Sequence, residues 1–160
     1  MKTNTAMKRI LANVELAATL PIALRTIVDD GFVVKDNCHF LVHLLAKARS
    51  ARREQFDDCT GYECFVNSVH IEDYDAKDPL SRSVGFIEQV FKAWSTHAPG
   101  VSLVGIVSSD EFSVMVKFHV KRSTETWLSD NLEGYEDPIM SVESSENVVN
   151  AIQALRGADF

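Results

Sequence analysis

From Phe112 to Lys121 the chain alternates without a break: Phe112, Val114, Val116, Phe118 and Val120 interleave with Ser113, Met115, Lys117, His119 and Lys121. Successive side chains of an extended strand point to opposite faces, so this run predicts a strand with one apolar face on a core. A second β-rich run, Val101 to Val107, precedes it across Ser108-Ser109-Asp110-Glu111. So short and polar a connection reads as a hairpin, whose two strands are antiparallel. A sheet that is at least partly antiparallel favours an α+β fold over a doubly wound parallel one.

The residues before that sheet read as helices. Met7, Ile10, Leu11, Val14, Ala17 and Ala18 recur at spacings of three and four, and Pro21 removes the backbone donor that would continue the turn. A further turn runs from there to Val28 and stops near Gly31. A second helix is expected from Asp36 or Asn37, as N-cap, through Phe40, Leu41, Leu44, Leu45 and Ala48, with Lys47, Arg49, Arg52 and Arg53 gathered at its C-terminal end. After Asp57-Asp58-Cys59-Thr60-Gly61 the character changes, and Tyr62 to Ile71 alternates well enough to predict a strand. Ser83, Phe86, Ile87, Val90, Phe91 and Trp94 have helical spacing, closed by Pro99-Gly100. Ile139 to Glu143 predicts a short strand, and Ser144 or Ser145 caps a last helix through Val148, Val149, Ile152 and Leu155. The expected architecture is α+β: a helical N-terminal half packed with a small, mainly antiparallel sheet and further helices. A single domain spans residues 1–160, helical over about 1–57 and α+β over about 61–160, around one continuous core.

At 160 residues with 46% hydrophobic content the chain is long enough to bury such a core. Its net charge of −7, from 16 Lys and Arg against 23 Asp and Glu, argues against a general nucleic-acid or anionic-membrane binder, which needs a cationic surface. The basic start at Lys8-Arg9 leads into a stretch that Asn13 and Glu15 interrupt, so neither a signal peptide nor a membrane helix is expected. Cys38, Cys59 and Cys64 are an odd number in a chain that needs no staples, which predicts a reducing, cytoplasmic location.

Residues able to carry chemistry are scattered. On the expected second helix His39 and His43, at i and i+4, would share a face, with Cys38, Asp57, Asp58, Cys59 and Cys64 as further donors, and a small metal-dependent hydrolase could be assembled from them. The spacings match no tight metal motif, and Cys38 reads more simply as a small buried hydrophobe. Neither a G-x-S-x-G elbow nor a glycine-rich phosphate cradle is present, so no catalytic residue, metal or cofactor is expected. Lys117, His119, Lys121 and Arg122 read as the solvated outer face of a half-covered sheet.

The charge is unevenly placed. Positions 123 to 146 hold Glu125, Asp130, Glu133, Glu136, Asp137, Glu143 and Glu146 with no Lys or Arg among them. Trp127, Leu128, Leu132 and Tyr135 are interleaved with these acids, and aromatic anchors ringed by carboxylates suit the docking of a basic protein. The bland alternative is that Trp127 and Leu132 pin a loop to the core while the acids face water.

Residues 65–142, and most visibly Phe118-His119-Val120-Lys121-Arg122 followed by Trp127-Leu128-Ser129-Asp130-Asn131-Leu132-Glu133-Gly134-Tyr135-Glu136-Asp137-Pro138-Ile139, resemble small immunity proteins of bacterial polymorphic toxin and contact-dependent growth inhibition systems. The resemblance implies a cytoplasmic, non-enzymatic protein, monomer or homodimer, that binds and neutralises one cognate toxin domain. A nuclease, which needs a basic cleft for phosphates, is one such toxin. The partner-binding residues expected on this reading are Asp130, Glu133, Tyr135, Glu136 and Asp137, with Trp127 as anchor. The alternatives are the metal-dependent hydrolase above and a homo-oligomeric regulatory module joined through its N-terminal helices.

Overall fold

The computed structural model of the protein describes residues 1–16 and 19–157. Ala17 and Ala18, expected on the first helical face, lie outside the described residues. The chain begins with β1 (Lys2–Thr3), α1 (Thr5–Ala12) and α2 (Ile22–Asp29), then a small hairpin of β2 (Phe32–Lys35) and β3 (Cys38–Leu41). Next come α3 (Val42–Lys47), α4 (Cys59–Val66), β4 (Ser68–His70) and the long α5 (Pro79–His97). The last elements are β5 (Leu103–Ser109), β6 (Val114–Val120), β7 (Ile139–Glu143) and α6 (Val148–Leu155). The fold is α+β: an antiparallel sheet of order β1-β7-β5-β6-β4, the separate β2-β3 pair, and helices packed around both. Among the described residues no helix is long and apolar enough to cross a membrane.

The alternating run becomes β6, paired along its length with β5 from Leu103↔Val120 to Ser109↔Val114. The connection is two residues later than expected. Asp110 Oδ1 accepts from the backbone N–H of Phe112 at 2.8 Å and of Ser113 at 2.7 Å, turning the chain there and leaving Phe112 84% exposed instead of core-facing. Val114, Val116, Phe118 and Val120 are buried on the face covered by α5, whose Val84, Phe86, Ile87, Val90, Phe91 and Trp94 form the matching stripe. Contact between the layers is close at Gly105, where a Cβ would lie 3.3 Å from the Phe91 ring. One cluster of buried side chains runs from Met7 in α1 to Ile152 in α6, so the N-terminal helices share the core of the sheet.

Two segments exchange the expected roles. The helix predicted from Asp36 to Ala48 is instead a hairpin and a shorter helix, because Asp36 and Asn37 adopt φ of +53° and +61°. Asp and Asn tolerate that left-handed region, and a pair of them makes the two-residue turn of a hairpin. The strand predicted over Tyr62 to Ile71 is instead α4 followed by the three residues of β4. Asp58 caps that helix, its Oδ1 accepting from Gly61 N–H at 2.7 Å. Of the eight residues of α4, Cys59, Thr60, Tyr62, Glu63, Cys64 and Val66 are all buried, and a helix buried on nearly every side has no polar stripe to reveal its period.

Elsewhere local signals hold in part: the first helix ends at Ala12 with Asn13 as its C-cap, leaving Val14 outside it, well before the Pro21 expected to end it. Pro21 precedes α2, which gives way to Gly31 at φ +71°. The last helix is capped by Asn147 in place of Ser144 or Ser145, since Ser144 Oγ accepts from Leu103 N–H at 2.9 Å.

Candidate functional site

Beneath α5 the sheet is packed; on its other face Val104 and Ile106 of β5 and Ile139 of β7 meet Leu128 and Leu132 in a second small apolar cluster. These two leucines belong to the segment between β6 and β7, which folds back across the sheet. The segment and the sheet enclose an open cleft of about 390 Å³, lined on the strand side by His119 and Ser141 as well as the apolar pair. Trp127 forms part of its wall, and Asp130 and Glu125 stand on the segment side. The outer sheet face expected to be solvated is therefore roofed in part: His119 is only 7% exposed.

The segment is held from below by Asn4, itself 1% exposed. Its Oδ1 caps α1 by accepting from Met7 N–H at 2.9 Å and also accepts from Ile139 N–H at 3.1 Å. Its Nδ2 donates to the carbonyls of Asp137 at 2.8 Å and Tyr135 at 3.3 Å. One amide thus joins a helix start, the start of strand β7 and the candidate segment. Asn4→Ala removes a cap and leaves a buried N–H without its acceptor, so it is expected to cost about 2 kcal/mol. Urea unfolding measures that loss, and amide exchange should accelerate over residues 132–138; unchanged exchange there would show that Asn4 does not anchor the segment.

Among the residues expected to bind a partner, Trp127 is 44% exposed and Tyr135 36% exposed. The ring of Trp127 lies with its centroid 5.9 Å from Lys117 Nζ, and Tyr135 OH accepts from Ser129 N–H at 3.1 Å. Glu133 is occupied: its Oε1 accepts from Thr5 N–H and Oγ1, both at 2.8 Å, at the positive end of α1. Asp130, Glu136 and Asp137 are exposed, and among the described residues their carboxylates make no hydrogen bond or ion pair. The remaining acids are engaged. Glu125 pairs with Arg122 at 3.3 Å, Glu143 with Lys121 at 2.7 Å, and Glu146 with the N-terminal amine of Met1. The run of seven acids is therefore three available carboxylates and four that hold the fold or the cleft rim.

The structure separates the proposed metal ligands. His39 lies on β3, where its Nδ1 is 3.0 Å from His97 Nε2, whereas His43 on α3 contacts Asp30 at 2.9 Å. Burial holds His39 below its ordinary pKa. Cys38 is not a lone hydrophobe but is bridged to Cys59. Cys38, Cys59 and Glu63 bring donor atoms within 4.8 Å of one another, yet the sulfurs bond each other and both Glu63 oxygens are already hydrogen-bonded. Cys64 is buried, which pushes its thiol up to about 12 and leaves it unreactive.

Three residues that organise the site had no place in the sequence reading. Glu63, fully buried, accepts from Arg122 at 2.6 and 3.0 Å, from His39 N–H at 2.8 Å and from Val120 N–H at 2.7 Å. Asn67 accepts from Leu41 N–H at 2.9 Å and donates to the His39 carbonyl at 3.0 Å, so both residues close the free edge of β3. Asn4 is the third. A lone carboxylate inside Tyr62-Glu63-Cys64-Phe65-Val66 was the available signal, since a charge in an apolar run requires a buried cation.

A family described as "Uncharacterized protein PM0498 family" matches residues 2–153 of this chain. The protein of Pasteurella multocida (strain Pm70) described as "Uncharacterized protein PM0498" is 33% identical over 54 residues, which is 34% of this chain and 34% of that protein. The aligned stretch thus spans about a third of the length of that relative. No solved structure matches. The family match runs from β1 into α6 and takes in every strand, the cleft and its roof, and on that extent the chain belongs to the PM0498 family.

Proposed function

We propose that this chain is a non-enzymatic immunity protein that binds and neutralises a cognate bacterial toxin domain through the segment between β6 and β7. The observation that supports this reading is the mounting of that segment. Leu132 is buried, Asn4 and Glu133 tie the segment to α1 and β7, and Trp127, Asp130, Glu136 and Asp137 are left facing outward. An aromatic anchor and unengaged carboxylates on a loop that is already ordered bind with little further loss of conformational freedom. The charges fit a basic partner surface and would speed encounter with it.

The cytoplasmic expectation rested on unpaired cysteines, and two of the three are bridged. A disulfide supports an oxidising compartment instead. A basic toxin domain met there is a better fit than a nuclease acting on intracellular nucleic acid.

Co-expression with toxin domains encoded beside this gene tests the proposal by 1:1 co-purification. Trp127→Ala is expected to weaken binding about 30-fold, as for a central aromatic anchor. Asp130→Lys with Glu136→Lys is expected to weaken it about tenfold at low salt, chiefly through a slower on-rate. Glu133 is avoided because its reversal would also uncap α1. Affinities unchanged in both variants would overturn the interface, and failure of any neighbouring toxin domain to bind would overturn the function.

A further inference from the structure

The cleft holds an acceptor with nothing to accept. His119 Nδ1 lies 2.9 Å from the carbonyl of Val120. A carbonyl only accepts, so Nδ1 carries the proton and Nε2 presents a lone pair. Burial holds the imidazole below its ordinary pKa, which keeps it in that neutral form. Among the described residues no group donates to Nε2, while every fully buried side-chain nitrogen and oxygen has a partner. Nε2 therefore keeps accessible surface although the residue is 7% exposed, and the space that His119 lines is the cleft.

The surroundings select what could bind there. Val104, Ile106, Leu128 and Leu132 provide an apolar floor and flank, and Trp127 an aromatic wall. Of the cations that line the cleft, Lys121 is matched by Glu143, Arg122 by Glu63 and Glu125, and the Met1 amine by Glu146; Lys2 and Asp130, exposed at its mouth and without an ion pair among the described residues, contribute one charge of each sign. An anion finds no donor at Nε2, and a charged ligand would lose its hydration against the apolar lining while the nearby charges of Glu63 and Arg122 act on His119 in opposite directions. A neutral donor suits the site best. A volume of about 390 Å³ suits one or two fused rings.

We propose that this cleft is a binding site for a neutral aromatic ring bearing one N–H or O–H donor, the ring packed against Trp127 and Leu128 and the donor bonded to His119 Nε2. The cleft shares Trp127 and Asp130 with the proposed toxin-binding surface but does not rest on that proposal, because the probes that test it are small molecules.

The experiment uses the full chain, labelled with nitrogen-15, titrated in parallel with indole and with 1-methylindole, which has the same ring but no donor. Indole is expected to move the His119 ring-nitrogen resonances and the Trp127 indole signal, and to bind about tenfold more tightly than 1-methylindole. In His119→Phe that preference should fall to about one. The wild-type pair decides the matter even if His119→Phe does not fold. Tighter binding of free indole than of N-acetyltryptophanamide identifies a free small molecule as the occupant, and the reverse order a side chain of a bound protein; both support the ring-and-donor chemistry. Equal affinity of indole and 1-methylindole for the wild type, or no change at His119 with either, overturns it.

Discussion

Glu63→Ala is expected to lower the free energy of unfolding by about 4 kcal/mol, measured by urea denaturation, because it removes the buried carboxylate of an ion pair, leaves the guanidinium with Glu125 as its remaining countercharge and strips two backbone N–H groups of their acceptor. The wild-type carboxylate is 0% exposed and satisfies four donors: two nitrogens of Arg122 and the backbone N–H groups of His39 and Val120. Arg122 would keep Glu125 at 3.3 Å, the Val120 carbonyl at 3.3 Å and Thr60 Oγ1 at 3.4 Å, and two backbone N–H groups would lose their acceptor. Glu63→Gln, which keeps one acceptor oxygen, should lose less. Adding Arg122→Met to Glu63→Ala should recover part of the loss, since the stranded charge is then gone. A loss below 1 kcal/mol in Glu63→Ala would mean that water replaces the carboxylate at little cost.

Opening the Cys38–Cys59 bridge is expected to cost about 3 kcal/mol, from the chain entropy regained by a loop of this length when unfolded. The bridge spans 21 positions and joins the β2-β3 hairpin to the first turn of α4. Cys38→Ser with Cys59→Ser should reproduce the effect of dithiothreitol on the wild type and be insensitive to it. The hairpin should loosen without leaving, because Glu63 and Asn67 still bind its edge and Phe40 still meets Tyr62 with ring centroids 4.6 Å apart. Equal stability with and without reductant would refute the assignment, and the oxidation state of the pair in cells reads the compartment directly.

Much of the fold could be read residue by residue where one face of an element is buried and the other is wet. The β5-β6 hairpin, β7 and α5 were legible for that reason, and Pro21 and Gly31 bracket α2 by backbone chemistry alone. Between Asp36 and Ile71 this fails. Phe40 and Leu41 suit either a helix face or a strand, and only the left-handed pair Asp36-Asn37 settles it. Tyr62 to Val66 mimics a strand because α4 is enclosed by the hairpin on one side and β6 on the other, so its polar residues are inside as well. The candidate segment was visible as a cluster of acids and rings. Which of them are available was not, because Thr5, Lys121 and the N-terminus, which engage Glu133, Glu143 and Glu146, are far from them in the chain; Arg122 is near Glu125 in sequence, but nothing local marks the pair.

What the sequence determined by itself is everything set by a residue and its near neighbours: the α+β class, the antiparallel hairpin, the principal helix and the acidic segment that crosses between strands. Tertiary structure alone decided that Cys38 meets Cys59, that Glu63 meets Arg122, that His39 and His43 part company, and that His119 faces a cleft with its acceptor unused. The reason is physical. Periodicity records which face of an element is buried, whereas pairing and protonation depend on which distant groups share that burial.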